Sequence, residues 1–476
     1  MLATALAGFS LSPAAGAPPA RSAAVFDPGT VDAATLEALL EQCSDGETAA
    51  ALCGAGFPDR MAEALAPLAG RPTNGSDLDR VARALALGQS DDVKAQVHKL
   101  ASEGVFSAEL PEKIAEVQQA RTATPSTAWK ETVGPDEQQQ FEGFAHEIEA
   151  QQREVAQSTN GPGHAPGGPL RRGFHAKLHA GVVAEFRVLP DLPEAARAGI
   201  FREARTFPAL VRFSNGSPGL QADGRPDPRG IAIKLIGAPG KKLLPGLEDA
   251  VTQDFLATSH SVTSTVRNVG EFMAFIRAAK NKLTLPITLA RELGVAESAR
   301  LLKAFASTVL FSKVRSMATE QFSSTAPIKL GPYAIKFTVR PHDGTPPPSA
   351  RPKTDNFLHD ELADRLRAGD VTLDFLIQFY VDDARTPIED TSVAWKPEVA
   401  PFVKVAEVRL LQTDIDSPAG HALGEAVDHL AFNPWHASED HRPLGNIMRA
   451  RRVAYEASSG LRGHAAEPAS LADVTH

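Results

Sequence analysis

The stretch Arg171-Arg172-Gly173-Phe174-His175-Ala176-Lys177 marks the point where a run of loop residues gives way to the first long apolar-alternating segment of the chain. Just beyond it, residues 180–189 are rich in β-branched and aromatic side chains, the composition of a strand. His175 therefore stands at the start of a strand, three residues after Arg172. A lone histidine in that position is more often structural than functional. Three further blocks give it company. Val211-Arg212-Phe213-Ser214 comes next, then Asp227-Pro228-Arg229-Gly230-Ile231-Ala232-Ile233-Lys234, and near the C-terminus Arg451-Arg452-Val453-Ala454-Tyr455.

Working outward, 210–213, 231–236 and 254–257 are short strand candidates, and 333–339, 371–380 and 403–411 are longer, alternating ones. Helical spacing interrupts them at 194–203, 269–279 and 285–305, and helices starting at Ala419 and Leu444 close the chain. Residues 342–353 hold four prolines and read as a loop. Strands first and helices after, with hairpin-like repeats, predict an α+β fold around an antiparallel sheet.

Upstream, residues 31–120 carry short pieces with helical spacing, which must stack on one another to persist. A longer polar helix is expected over 135–155, with Phe141, Phe144 and Ile148 as its apolar stripe. Together these make an N-terminal helical region, 31–157. Residues 1–30 read as a disordered tail: no Lys or Arg precedes Arg21, so the basic start of a secretory signal is missing. Residues 158–170 hold four glycines and three prolines and read as a linker or arm. They lack the Gly-Lys-Ser/Thr ending of a phosphate loop. The domain that carries the four blocks is expected over 171–476.

The bulk numbers narrow the function. A chain of 476 residues predicts two or more domains. A net charge of −9 argues against nucleic-acid binding, which needs a basic surface. No apolar run reaches the roughly 18 residues that a membrane span requires. Cys43 and Cys53 are the only cysteines, too few for a disulfide framework or a metal-ligand set. Two free thiols fit a reducing, cytoplasmic setting, with a secreted or periplasmic one left open. The histidines show no H-E-x-x-H spacing, and there is no G-x-S-x-G elbow.

In their order, the four blocks resemble the haem-binding core of the catalase superfamily, where they read roughly R-x-x-H-A-K, V-R-F-S, D-P-R-G-F-A-I-K and R-x-x-x-Y. The resemblance covers residues 171–462 or so. It implies that the sheet closes into an antiparallel eight-stranded β-barrel with surrounding helices and haem b at its side. It also implies that Tyr455 is the iron ligand and His175 the distal acid–base. Ser214 would fix the tautomer of His175, and Arg172 and Arg212 would pair with the haem propionates. Arg451 and Tyr455, four apart on a helix, share a face, and a guanidinium there favours the phenolate that binds ferric iron.

The chain also departs from the pattern. The distal asparagine of catalases falls on Thr252, whose hydroxyl reaches and donates differently from an amide. The phenylalanine that stacks over the haem falls near Ser264. Phe174 stands where catalases tend to have valine and allene oxide synthases threonine. The family arginine five residues after the tyrosine has no counterpart, and Arg462, seven after, is the nearest. Asn433-Pro434-Trp435-His436 is expected to pack near the proximal helix. The resemblance thus implies a divergent, catalase-like haem enzyme acting on a small-molecule hydroperoxide, either hydrogen peroxide or an organic one. The alternative is a haem-binding sensor or store of the same fold without turnover. Assembly into a homo-oligomer and the role of the N-terminal helices stay open.

Overall fold

A computed structural model of the chain describes residues 124–157, 170–259, 265–281, 283–306, 314–348 and 354–475. The expectations for residues 1–123, with Cys43 and Cys53, and for all of the linker except Leu170 lie outside these residues, as does Ser264.

Strand formation follows the alternation in the sequence. The strands are β1 (Leu178–Val188), β2 (Thr206–Asn215), β3 (Arg229–Ile236), β4 (Thr252–Ser259), β5 (Phe322–Ser323), β6 (Ile328–Leu330), β7 (Tyr333–Pro341), β8 (Val371–Phe379) and β9 (Val403–Leu410). They form one sheet in the order β5-β4-β3-β2-β1-β9-β8-β7-β6, in which neighbouring strands pair antiparallel. β5 also pairs with β7, through Phe322↔Val339 and Ser323↔Thr338. That pairing joins the sheet to itself and leaves β6 outside, so the ring is a closed antiparallel barrel of eight strands, as the resemblance implies. Closure removes the free edges of the sheet.

A barrel of this size has an interior that side chains fill. Val182, Ala184 and Phe186 of β1, Val211 and Phe213 of β2, Ile231, Ile233 and Leu235 of β3, and Phe255 of β4 all point into one buried core. Phe186, Phe201, Phe255, Phe337 and Phe375 meet there ring to ring at centroid distances of 5.1–6.1 Å. The inside of the barrel is thus solid, and any pocket must lie on its outer face.

The helices are α1 (Glu137–Gln157), α2 (Val269–Ala279), α3 (Leu285–Leu293), α4 (Val295–Phe305), α5 (Phe357–Ala368), α6 (Pro418–His429) and α7 (Asn446–Arg462). The single helix expected over 285–305 is two, broken at Gly294, whose φ of +82° a helix cannot accommodate. The helix expected over 194–203 is two 3₁₀ turns. Among the described residues no helix is long and apolar enough to cross a membrane.

The domain boundary expected at Arg171 is corrected by the packing. One compact unit runs over Ala123–His476. α1 buries Phe141, Ala145, Ile148 and Gln152 and lies along α7. The preceding arm is also tied down: Ser126 N donates to Tyr380 O at 2.9 Å, and Trp129 Nε1 to Pro332 O at 2.8 Å. The apolar stripe of α1 finds its partner on the barrel unit.

Candidate active site: a cationic pocket on the outer face of the barrel

His175 lies in the loop that leads into β1, with φ at +60°, a left-handed conformation that few side chains tolerate. Its backbone N donates to Gly216 O at 3.0 Å, and its Nδ1 meets Ser214 Oγ at 3.0 Å. Ser214 pairs with Gly230 across β2 and β3. A Cβ at residue 230 would stand 2.5 Å from His175 Nδ1 and 2.9 Å from Ser214 Oγ. The glycine of the D-P-R-G block is therefore the floor on which the imidazole lies. Burial, with Arg212, Arg451 and Arg172 nearby, pushes the His175 pKa down to about 3. The ring is neutral at physiological pH.

His175, Ser214 and Gly230 face a pocket with about 870 Å³ of empty space, part of it open to solvent. The outward faces of β2, β3 and β4 form one wall, through Arg212, Ala232, Leu256 and Thr258. α7 forms another, presenting Arg451, Ala454, Tyr455, Ser458 and Arg462, a stripe at helical spacing. Ile148 of α1 and Phe432 after α6 complete it.

Four guanidinium groups line this pocket: Arg172, Arg212, Arg451 and Arg462. Arg172 Nη2 donates to Asp428 O and Leu430 O at 2.7 and 2.8 Å. Arg462 Nη2 donates to Leu430 O at 2.8 Å. Two arginines are thus anchored on carbonyls at the C-terminal end of α6, where cations are favoured. Arg212 Nε donates to Asp428 Oδ1 at 2.8 Å and its Nη2 to His175 O at 2.7 Å. Burial opposes the charge of Asp428, but Arg212, Arg172 and Arg462 outweigh it and hold the carboxyl below its usual range. Burial and the neighbouring Arg212 and Arg462 push the Arg172 pKa well down. Arg172 Nε is buried without a hydrogen-bond partner. Arg451 stacks over the Tyr455 ring with 5.9 Å to the centroid, and its one hydrogen-bond contact is Met448 Sδ at 3.7 Å. Four cations against one carboxylate make a site for an anion.

The pocket brings together His175, Ser214, Arg172, Arg212, Arg451 and Tyr455, which the sequence singled out. It does not include Thr252. That residue begins β4, is fully buried, and gives its hydroxyl to Glu467 Oε2 at 2.6 Å. Thr252 belongs instead to a buried polar cluster. There Lys234 Nζ lies 2.7 Å from Glu467 Oε2 and 2.8 Å from Asp254 Oδ1, and His436 Nδ1 lies 2.9 Å from Asp254 Oδ2. The hydroxyl of β4 that does face the pocket is Thr258, six residues on. At about 3.3 Å per residue the two are some 20 Å apart. Thr258 pairs with Gly230, so its side chain shares the face on which the His175 ring lies.

Two other pocket residues, Thr325 and Arg462, escaped the motifs, as did Asp428, which pairs with Arg212 beside the pocket. Arg462 was legible as a helix-face partner, since residues seven apart on a helix lie two turns apart on one side. Trp435 packs against α7, its Nε1 donating to Met448 O at 2.6 Å, while His436 turns to Asp254.

Thr325 is unusual in its backbone. It and His175 are the two non-glycine residues with positive φ among the described residues, both at +60°, and both line this pocket. Such positions cost roughly 1–3 kcal/mol each and gather at functional sites.

No family model matches the chain. A curated protein of Mycolicibacterium paratuberculosis, named catalase-related peroxidase, is 29% identical over 311 residues, which is 62% of this chain and 90% of that one. The chain is similar to that peroxidase over most of the latter's length. Solved catalases are also similar to it, each with a TM-score below 0.5. A fungal catalase superposes with a TM-score of 0.48 at 17% identity, covering 61% of this chain and 60% of its own. Catalase A from Saccharomyces cerevisiae gives 0.49 at 15%, covering 62% of each. A bacterial catalase gives 0.47 at 17%, covering 71% of this chain and 64% of its own. The chain thus spans less than two thirds of the length of those solved catalases.

Proposed function

We propose that the pocket holds haem b and that the protein is a catalase-like peroxidase, breaking the O–O bond of a hydroperoxide. The observation that carries the reading is a neutral histidine and a tyrosine facing one pocket whose cations outnumber its carboxylates four to one.

The residues fit the group. A haem brings two carboxylates. The pocket offers a buried guanidinium N–H without a hydrogen-bond partner among the described residues, Arg172 Nε, with Asp428 Oδ1 3.6 Å away, and further guanidinium groups on Arg212 and Arg462. Tyr455 would supply the oxygen that holds the iron, and Arg451 lies over its ring. Haem, when bound, supplies the iron at which the O–O bond is cleaved.

The chain's own part is to orient the peroxide and move one proton. Ser214 holds Nδ1 of His175, which leaves the other ring nitrogen for the substrate. As a free base, that nitrogen takes the proton from one peroxide oxygen and returns it to the other as the bond breaks. Gly230 and the left-handed backbone at residue 175 keep the ring in place. Thr258, on the same face, offers a hydroxyl beside it. Leu256, Ala232 and Phe432 keep this wall apolar, which strengthens each polar contact made against it.

Reconstitution with haem tests the reading. The wild-type protein should take up haem and react with hydrogen peroxide or an alkyl hydroperoxide. Tyr455→Phe should lose haem or change its spin state, and His175→Ala should keep haem but react at least ten-fold more slowly. An unaltered spectrum in Tyr455→Phe would sink the ligand assignment. Haem uptake without any reaction with either peroxide would favour a sensor or store.

A further inference from the structure

The backbone around Thr325 is built in an uncommon way. Ala326 N donates to Ser324 O at 2.6 Å, a bond from one residue to the second before it. With φ at +60° in the middle, this is a γ-turn of the rare, strained hand. A β-branched residue is among the least suited to that conformation. The turn is held in place from outside: Ser324 N donates to Phe337 O at 2.9 Å, and Ser324 Oγ accepts from Phe337 N at 3.1 Å. Thr325 is part-exposed between buried Ser324 and Ala326, and it lines the pocket.

The hydroxyl of Thr325 is already committed as a donor. Oγ1 donates to Ser324 O at 2.7 Å. Its proton is used, so what it presents to a ligand is lone pairs. His175, neutral, likewise presents an acceptor nitrogen when Nδ1 carries the proton toward Ser214 Oγ. The sheet brings the two near one another. His175 lies on Gly230, Gly230 pairs with Thr258, Thr258 pairs with Ser323, and Thr325 follows two residues later. The barrel wall curves there, so that β3 and β5 come within 8 Å between Cα atoms although β4 separates them in the sheet. Two hydrogen bonds of about 2.8 Å and the O–O bond between them bridge roughly 7 Å.

We propose that Thr325 is a specificity-determining residue that accepts a hydrogen bond from the second O–H of the substrate. Resting on the peroxidase reading, this selects hydrogen peroxide, which carries a donor at both ends, over alkyl hydroperoxides, which carry one. An alkyl peroxide would set an oxygen or carbon without a proton against the Thr325 lone pairs. The strained turn exists to hold those lone pairs toward the pocket.

Two measurements test it. The first uses haem-loaded protein, with haem content checked by absorption, and compares hydrogen peroxide with tert-butyl hydroperoxide. Thr325→Val keeps the shape and removes the acceptor. It should lower kcat/KM for hydrogen peroxide about ten-fold, mainly through KM, and leave tert-butyl hydroperoxide within two-fold. Thr325→Ser should restore the preference. Equal losses on both substrates, or none on either, overturn the proposal while leaving the peroxidase reading intact. A wild-type protein that loads haem and reacts with neither peroxide ends both. The second measurement needs no haem. Thr325→Gly relieves the turn and should raise Tm by about 2–4 °C; an unchanged or lower Tm overturns the claim that the turn is held against its own preference.

Discussion

The His175 ring occupies the space in which a side chain at residue 230 would stand: a Cβ there would lie 2.5 Å from Nδ1 and 2.6 Å from Cε1. A glycine and a histidine 55 residues apart thus define one position. Gly230→Ala should tilt the imidazole and break its bond to Ser214, since packed surroundings leave it no room to slide. The expected outcome is haem content near wild type with the peroxide reaction slowed about 10²-fold or more. Rapid-mixing spectra of the two loaded proteins check it; equal rates would mean the ring position does not matter.

Arg172 and Arg462 are fixed to the end of α6 by backbone carbonyls. They are therefore in place before any ligand arrives. Arg172→Ala and Arg462→Ala should each weaken haem affinity about 10- to 100-fold, the worth of a charged hydrogen bond. Haem titration followed by absorption reads the change. Unchanged affinity in both variants would remove the arginines from the haem site.

The pKa of about 3 at His175 sets a pH dependence. The free base is present from about pH 4 upward, so kcat/KM for peroxide should show no inflection near 6.5. Stability carries the opposite mark. The unfolded chain binds this proton near pH 6.5 and the folded one only near 3. The contribution is therefore complete above about 6.5 and is lost as pH falls toward 3, by about 1.4 kcal/mol per unit at most. Thermal melts of wild type and His175→Gln should converge or cross on going from pH 7 to 5. A constant difference in Tm would contradict the shift.

Arg449 joins three carboxylates on separate segments: Glu131 at 2.8 Å, Glu137 at 2.8 Å and Glu389 at 3.0 Å. Burial opposes its charge, but the carboxylates outweigh burial and raise its pKa. Arg449→Met leaves three acids facing one another. The site is partly open to solvent, so the expected loss is about 1–3 kcal/mol, below that of a fully buried pair. It should appear as a lower Tm and as faster proteolysis of the arm at 124–136. An unchanged melt would show that the three acids find other partners.

Much of this was readable before the fold was. Alternation marked the long strands, because a strand buried on one face must place apolar residues at every second position. The blocks around His175, Arg212, Gly230 and Tyr455 converge on one pocket although they lie on four different segments. What escaped the sequence depends on register or on tertiary contact. Thr252 and Thr258 have the same chemistry on the same strand, and only the pairing with Gly230 shows which one faces the histidine. β5 is two residues long, too short for any periodicity. α5 was missed because its charged residues hide the Phe357, Leu358, Leu362 and Leu366 set that it buries. Asp428 is one acid among 58 Asp and Glu residues until the arginines gather round it.

That two-residue strand has a mechanical meaning. β1 is 11 residues long and β8 is 9, while the seam that turns the sheet into a ring is Phe322 and Ser323. A hoop parts at its clasp, and the least costly opening of this barrel is along β5. Amide hydrogens there and on the facing stretch Thr338–Val339 should exchange with solvent sooner than those of the long strands. The clasp runs straight into Ser324 and Thr325, so each such opening also loosens the wall of the pocket. Unzipping of the seam should therefore give small molecules an intermittent way into the pocket from the side of β5.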